Sequence, residues 1–166
     1  MVFMLTDTHC HIYKEYYDDI NILMDKIKDS GINRIINNAC NYASCLEVLD
    51  LVKKYENMYC VLGLHPEENL EDIDRVLTLL EKNFDNNKVI GVGEIGLDYH
   101  YGIDNKQLQK EVLIDQIKLA DQLQLPIIIH VRDAIGDLIE LLKSNQQYLN
   151  NGGIIHCFNE SIESYK

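Results

Sequence analysis

The chain has 166 residues, 46% of them hydrophobic, enough for one domain with a real core and no more. Fifteen basic residues against 27 acidic ones leave a net charge of −12, which repels a polyanion at long range and excludes a broad duplex-coating mode. Phosphate chemistry survives that exclusion if the positive charge is local and comes from bound divalent ions. No apolar stretch reaches the roughly 20 residues of a membrane span, and the MVFML start lacks a basic signal region, so a cytoplasmic protein with no membrane partner is expected.

In chain order, short β-branched runs alternate with amphipathic stretches, and strands are predicted over 2–6, 32–37, 58–63, 88–93, 126–130 and 152–157. Ile20, Leu23, Met24 and Ile27 fall at helical spacing after the first strand, with Gly31 placed to stop that helix. Leu46, Leu49 and Val52 mark a second helix, and Ile73, Val76, Leu77 and Leu80 a third. Leu108, Val112, Ile117 and the LADQLQL segment mark a longer fourth, and Leu138, Ile139, Leu141 and Leu142 a fifth. The tail FNESIESYK reads as the start of a sixth. The five cysteines show no CxxC pair and mostly lie in or beside apolar runs, which reads as buried reduced thiols.

Continuous apolar strands such as PIII and GGII, with helices on either side in sequence, indicate parallel strands buried on both faces. The fold expected is α/β: a (β/α) barrel of the TIM type, incomplete, with about six of eight βα units in a single domain over 1–166. A flat doubly wound sheet shares the local pattern, but ligand-type residues at the ends of four strands suit a ring of strands better. A complete barrel has eight strands and about 250 residues, so the last two βα units are expected to be missing. The first and sixth strands then carry unpaired edges, an invitation to self-association.

Four apolar runs end in metal-type ligands: VFMLTDTHCH, KVIGVGE, LPIIIH and GGIIH. His9 and His11 sit two apart, where alternate side chains of a strand point the same way and both imidazoles reach one divalent ion. Asp7 is a candidate to orient one of those rings. Glu94 ends a buried strand among glycines, a costly place for a carboxylate unless it is paired or holds metal, and its two oxygens can bridge two ions. His130 and His156 occupy equivalent strand ends and read as ligands, while Asp98 reads as a hydrogen-bonding support. His65 in GLHP also ends a strand and reads as a substrate donor. Arg132 suits bidentate contact with a phosphate, with Asp133 fixing its angle. His100 reads as a surface residue.

The segments DTHCH, GLHP, GVGEIGLDYH, LPIIIHVRDA and GGIIHCF together resemble, in order and spacing, the TatD family of metal-dependent deoxyribonucleases, TIM barrels of the amidohydrolase-like superfamily. The resemblance covers the whole chain. It implies two divalent ions, magnesium, manganese or zinc, with His9 and His11 on one, His130 and His156 on the other, and Glu94 bridging both and taking part in catalysis. His65 and Arg132 would bind substrate. It implies hydrolysis of phosphodiester bonds in DNA, on single strands or from 3′ ends; no protein partner is evident in the sequence. The family also carries an aspartate after its last strand, a ligand and proton acceptor with no counterpart here, so metal is expected first at Glu94, His130 and His156, with activity reduced or absent. Two alternatives stand beside this: a metal-dependent amidohydrolase acting on an amide, ester or lactone, and a non-catalytic truncated remnant.

Overall fold

A computed structural model describes residues 5–158 and 161 of the chain. Six strands, β1 (Leu5–Cys10), β2 (Ile32–Asn38), β3 (Met58–Leu62), β4 (Val89–Asp98), β5 (Ile127–Arg132) and β6 (Gly153–Ile155), form one parallel sheet in sequential order. Five helices cross over between them: α1 (Ile20–Asp29), α2 (Tyr42–Lys54), α3 (Ile73–Asn83), α4 (Lys106–Gln122) and α5 (Ile135–Ser144). The Asp19 carboxylate caps α1 through the N–H groups of Asn21 and Ile22, and Gly31, at φ 86°, ends it. Asn41 and Ser44 cap α2 reciprocally, each side chain taking the other's backbone N–H.

The sheet is not flat. At a strand spacing of about 4.8 Å, the outer strands of a flat six-stranded sheet lie roughly 24 Å apart. Here the ring of His9, on β1, stacks on that of His156, just past β6, with centroids 3.8 Å apart and planes 2° apart. The sheet therefore curls back on itself as the incomplete barrel that the pattern of strand-end ligands predicts. Ile35, Met58, Leu62, Ile95, Leu97, Leu113, Ile117 and Leu138 are all buried in the core of sheet and helices.

Four expectations shift. The first strand runs from Leu5 to Cys10, past the predicted end at Thr6; residues 2–4 lie outside the described residues, as does most of the tail read as a sixth helix. GGII is no doubly buried strand: β6 pairs only with β5 among the described residues, and Ile154 is half exposed. Leu46 and Leu108 point outward, because the buried stripe of α2 runs through Cys45, Val48, Leu49 and Val52, and that of α4 includes Gln109 and Gln116. Of the cysteines, Cys45 and Cys60 are buried as expected, Cys10 and Cys40 are half-buried and Cys157 is exposed.

Two irregularities of β4 set up the site. Its register with β5 breaks between Val92 and Ile95, and Glu94 falls in the gap, its N–H donating instead to the Ala39 carbonyl at 2.8 Å beyond β2. Two residues later a Cβ on Gly96, at φ 155°, would stand 1.9 Å from the His130 carbonyl oxygen, so only glycine lets β4 approach β5 this closely.

Candidate metal centre

Glu94 is 3% exposed, with two imidazoles facing Oε2 and three facing Oε1. Nε2 of His9 and Nε2 of His11 both lie 3.3 Å from Oε2, and 3.0 Å from one another. On the other side, Nε2 of His156 lies 2.8 Å and Nδ1 of His130 3.3 Å from Oε1. His65 stands behind, with Nε2 3.9 Å from Oε1 and its ring 4.3 Å from that of His130. Burial alone would raise the Glu94 carboxyl, but the contacts with His11, His130, His156 and His9 outweigh it and hold the group ionised, well below the usual carboxylate range.

The outward nitrogens of His11 and His130 fix their tautomers. His11 donates from Nδ1 to the Asn38 carbonyl at 3.0 Å, and Tyr13 donates its hydroxyl to that same carbonyl. His130 donates from Nε2 to Asp98 Oδ2 at 2.8 Å, on a carboxylate whose Oδ1 accepts the His100 N–H at 2.9 Å. A neutral imidazole that donates at one nitrogen offers a lone pair at the other. In both rings that lone pair faces a carboxylate oxygen, an arrangement attractive only with a proton or a cation between them. His11 responds to Cys40 and then Glu94 by moving up to about 10, and His130, though burial pulls it down, is raised by Glu94 and Asp98. Neighbouring ligands around an ion at about 2.0–2.1 Å lie roughly 2.9–3.4 Å apart, the range spanned by the His9, His11 and Oε2 atoms. The residues present therefore fit a pair of divalent ions, one on each carboxylate oxygen.

His65 is 8% exposed, and burial, reinforced by His130, pulls its imidazole down to about 4, so the ring is neutral at pH 7. Its Nδ1 accepts the Glu67 N–H at 3.3 Å, which leaves the proton on Nε2, on the side of Glu94. That geometry suits a neutral donor. Arg132 is exposed, its guanidinium 5.3 Å over the Tyr101 ring, and it lines an open cavity with His130 and His156. Asp133 does not hold it: Asp133 accepts instead from Nδ1 of His100 at 2.9 Å, so the surface histidine is tied to the β5 end. Asp7 orients no ring either, and accepts the backbone N–H of His9 at 3.1 Å.

Sequence reasoning passed over Cys40, Tyr13 and Asn38, which surround the back of His11, and the two glutamines of α4. Gln109 accepts from the Asp98 N–H and donates to the Asp98 carbonyl, at 2.9 and 2.8 Å. Gln116 does the same for Leu64, next to His65, at 2.7 and 3.2 Å. One helix thus clamps the backbone at two strand ends of the site. Over the centre opens a cavity of about 590 Å³ whose rim carries Glu15, Glu47, Glu67 and Glu68; among the described residues its lining includes no lysine or arginine.

A curled parallel sheet with four histidines gathered on one buried glutamate at its C-terminal rim is the framework of a barrel-type metal centre. The family model for TatD related DNases matches residues 6–166, and the chain belongs to that family. It is 35% identical over 161 residues to a protein of Bacillus subtilis named as the uncharacterized metal-dependent hydrolase YabD, covering 96% of this chain and 63% of that protein. It is 28% identical over 169 residues to the deoxyribonuclease Tat-D of Schizosaccharomyces pombe, covering 94% of this chain and 54% of that one. The crystal structure of YJJV, a TatD homolog of Escherichia coli K12, superposes with a TM-score of 0.82 at 31% identity, over 99% of this chain and 64% of that chain. The chain thus spans less than two thirds of the length of these relatives.

Proposed function

We propose that the chain carries the metal centre of a divalent-metal-dependent hydrolase that cleaves phosphodiester bonds of DNA, at single strands or 3′ ends. One observation carries the reading: the split of the four imidazoles into pairs, His9 with His11 on Oε2 and His130 with His156 on Oε1. We assign each pair and its oxygen to one ion. Ions bound there supply Lewis acidity toward a phosphoryl oxygen and an acidified water as nucleophile. The residues do the rest. Glu94 fixes the spacing of the pair, Asp98 and the Asn38 carbonyl keep the lone pairs of His130 and His11 turned inward, and neutral His65 donates from Nε2 to a substrate oxygen. Arg132, two residues past His130 on β5, takes a non-bridging phosphate oxygen. The Oε1 ion binds first, since its set contains the shortest contact, 2.8 Å, and has Asp98 behind it. Five thiols with no disulfide suit a reducing compartment, the cytoplasm.

A second reading keeps the centre and changes the bond. The acidic rim without lysine or arginine favours a substrate poorer in negative charge, an ester, amide or lactone. The test is hydrolysis by the manganese-loaded chain of a 3′-labelled single-stranded oligonucleotide beside a panel of carboxyl esters and lactones. Shortening of the oligonucleotide, lost in Glu94→Gln, supports the nuclease; turnover of the esters alone transfers the assignment to the second reading. Metal binding with turnover of neither leaves a non-catalytic centre. Leu5 and Ile154, more than half and half exposed on the two outer strands, are where we place self-association; a monomeric mass at high concentration refutes it.

A further inference from the structure

Behind His11 a second set of donor atoms converges, facing away from the ion pair. Cys40, two residues past β2, brings Sγ to 3.6 Å from His11 Nδ1 and 3.7 Å from the Tyr13 hydroxyl. The Tyr13 hydroxyl and the Asn38 carbonyl lie 3.1 and 3.0 Å from that same Nδ1. An ion bound to a thiolate at about 2.3 Å and to an imidazole nitrogen at about 2.0–2.1 Å, in tetrahedral geometry, sets sulfur and nitrogen roughly 3.5 Å apart. Cys40 and His11 already have that separation. Cys40 also lines the cavity over the centre, so an ion can reach it.

We propose that Cys40 Sγ and His11 Nδ1, with the Tyr13 hydroxyl and the Asn38 carbonyl beside them, form a site for a thiophilic divalent ion, of the zinc or cadmium class, and that filling it excludes the ion on Glu94 Oε2. The exclusion rests on the reading of His11 as a ligand of that ion; the site itself does not. The cause is the two-ended chemistry of one ring. His11 donates from Nδ1 to Asn38 and so presents its lone pair at Nε2. A cation on Nδ1 leaves the ring's remaining proton on Nε2, which donates to Oε2, 3.3 Å away, instead of binding metal. In the ion-free chain, where a proton lies between Nε2 and Oε2, His11 releases its Nδ1 proton and Cys40 its thiol proton on binding, so the net change is one metal ion gained and two protons lost. Sulfur selects the occupant: a thiolate prefers zinc or cadmium, whereas magnesium and manganese prefer oxygen. The other thiols do not compete. Cys45 and Cys60 are buried and Cys10 donates to the Ile36 carbonyl, which leaves exposed Cys157 to be removed by substitution.

The experiment titrates cadmium into the full chain carrying Cys157→Ala and follows the ultraviolet sulfur-to-cadmium charge-transfer band. One equivalent saturates the band in Cys157→Ala, and Cys157→Ala with Cys40→Ser, checked for native circular dichroism, loses it. Manganese binding, measured by calorimetry, weakens at least tenfold for one class of site when cadmium is present, and not when Cys40 is serine. A band that survives Cys40→Ser, or none in Cys157→Ala, overturns the site. A Cys40-dependent band with manganese binding untouched overturns the exclusion and with it the placing of His11 on the Oε2 ion. A Cys40-dependent band in a chain that binds no manganese keeps the thiophilic site and sinks the proposed ion pair.

Discussion

Asp98→Asn tests the assignment of ligand pairs, because it changes one hydrogen bond and almost no volume. Asp98 is 3% exposed, and both its oxygens accept: Oδ2 from His130 Nε2 at 2.8 Å and Oδ1 from the His100 N–H at 2.9 Å. An amide offers one acceptor and one donor. If its oxygen stays on the His100 N–H, its NH2 faces Nε2, and His130 must move its proton to Nδ1, where the lone pair for the Oε1 ion had been. If the amide turns over, its NH2 meets the His100 N–H, donor against donor, at a buried position. Either way the site loses its oriented ligand or its backbone anchor. Loss of such an outer partner lowers metal affinity about 10–100-fold, or roughly 1.4–2.8 kcal/mol. Calorimetric titration with manganese should show this loss in the class of site assigned to His130 and His156, and none in that of His9 and His11. Equal weakening of both classes, or of neither, refutes the division of Glu94 into two halves.

Other perturbations reach the same framework from different sides. Gln116→Leu strands the buried N–H and carbonyl of Leu64 and is expected to cost about 2–4 kcal/mol in urea unfolding; a change under about 0.5 kcal/mol would mean the clamp is redundant. Manganese at about 100 times its dissociation constant should stabilise the chain by roughly 2.7 kcal/mol, or about 5–11 °C in melting temperature, reversed by a chelator. An equal shift in Glu94→Gln would place the stabilising ion elsewhere. The Asn21 and Ile22 N–H groups hold the Asp19 carboxyl below its ordinary pKa. Its contribution is therefore present above the unfolded value of about 3.9 and lost as the pH falls through the folded one. The stability gap between wild type and Asp19→Ala should be full at pH 7 and narrow at pH 3; an unchanged gap removes the cap as its cause.

The strand order and the convergence on Glu94 were legible because both depend on local signals: apolar runs of strand length, helical spacing between them, and a ligand residue closing each run. The parts that were not legible depend on three-dimensional neighbours. Asp133 follows Arg132 in sequence, but it sits at φ 53° and turns to His100, 33 residues away. Cys40 ends its strand as His65 ends the next, and the same strand-end logic applied to NNAC would have singled it out. Gln109 and Gln116 were visible as polar residues seven apart, in step with Val112 and Leu113 on the buried stripe of α4. Reading that helix by its leucines alone moved Leu108 inward, although burial here follows hydrogen-bonding need as much as apolarity.

Among the described residues, no backbone ladder joins the outer strands of this sheet. At the C-terminal rim, β1 and β6 are joined through side chains, His9 on His156 and both on Glu94. Leu5, at the start of β1, and Ile154, in the middle of β6, face solvent. A backbone ladder would hold the curl whether or not ions were bound, but here the link runs through imidazoles around one carboxylate. Without cations it depends on protonated rings and on the stacking of two heterocycles. With an ion on each oxygen, His9 is tied to one and His156 to the other, and the carboxylate common to both transmits the constraint from edge to edge. If ions bind as proposed, curvature and metal binding are one equilibrium: what flattens the sheet separates the ligands, and what removes the ions loosens the curl.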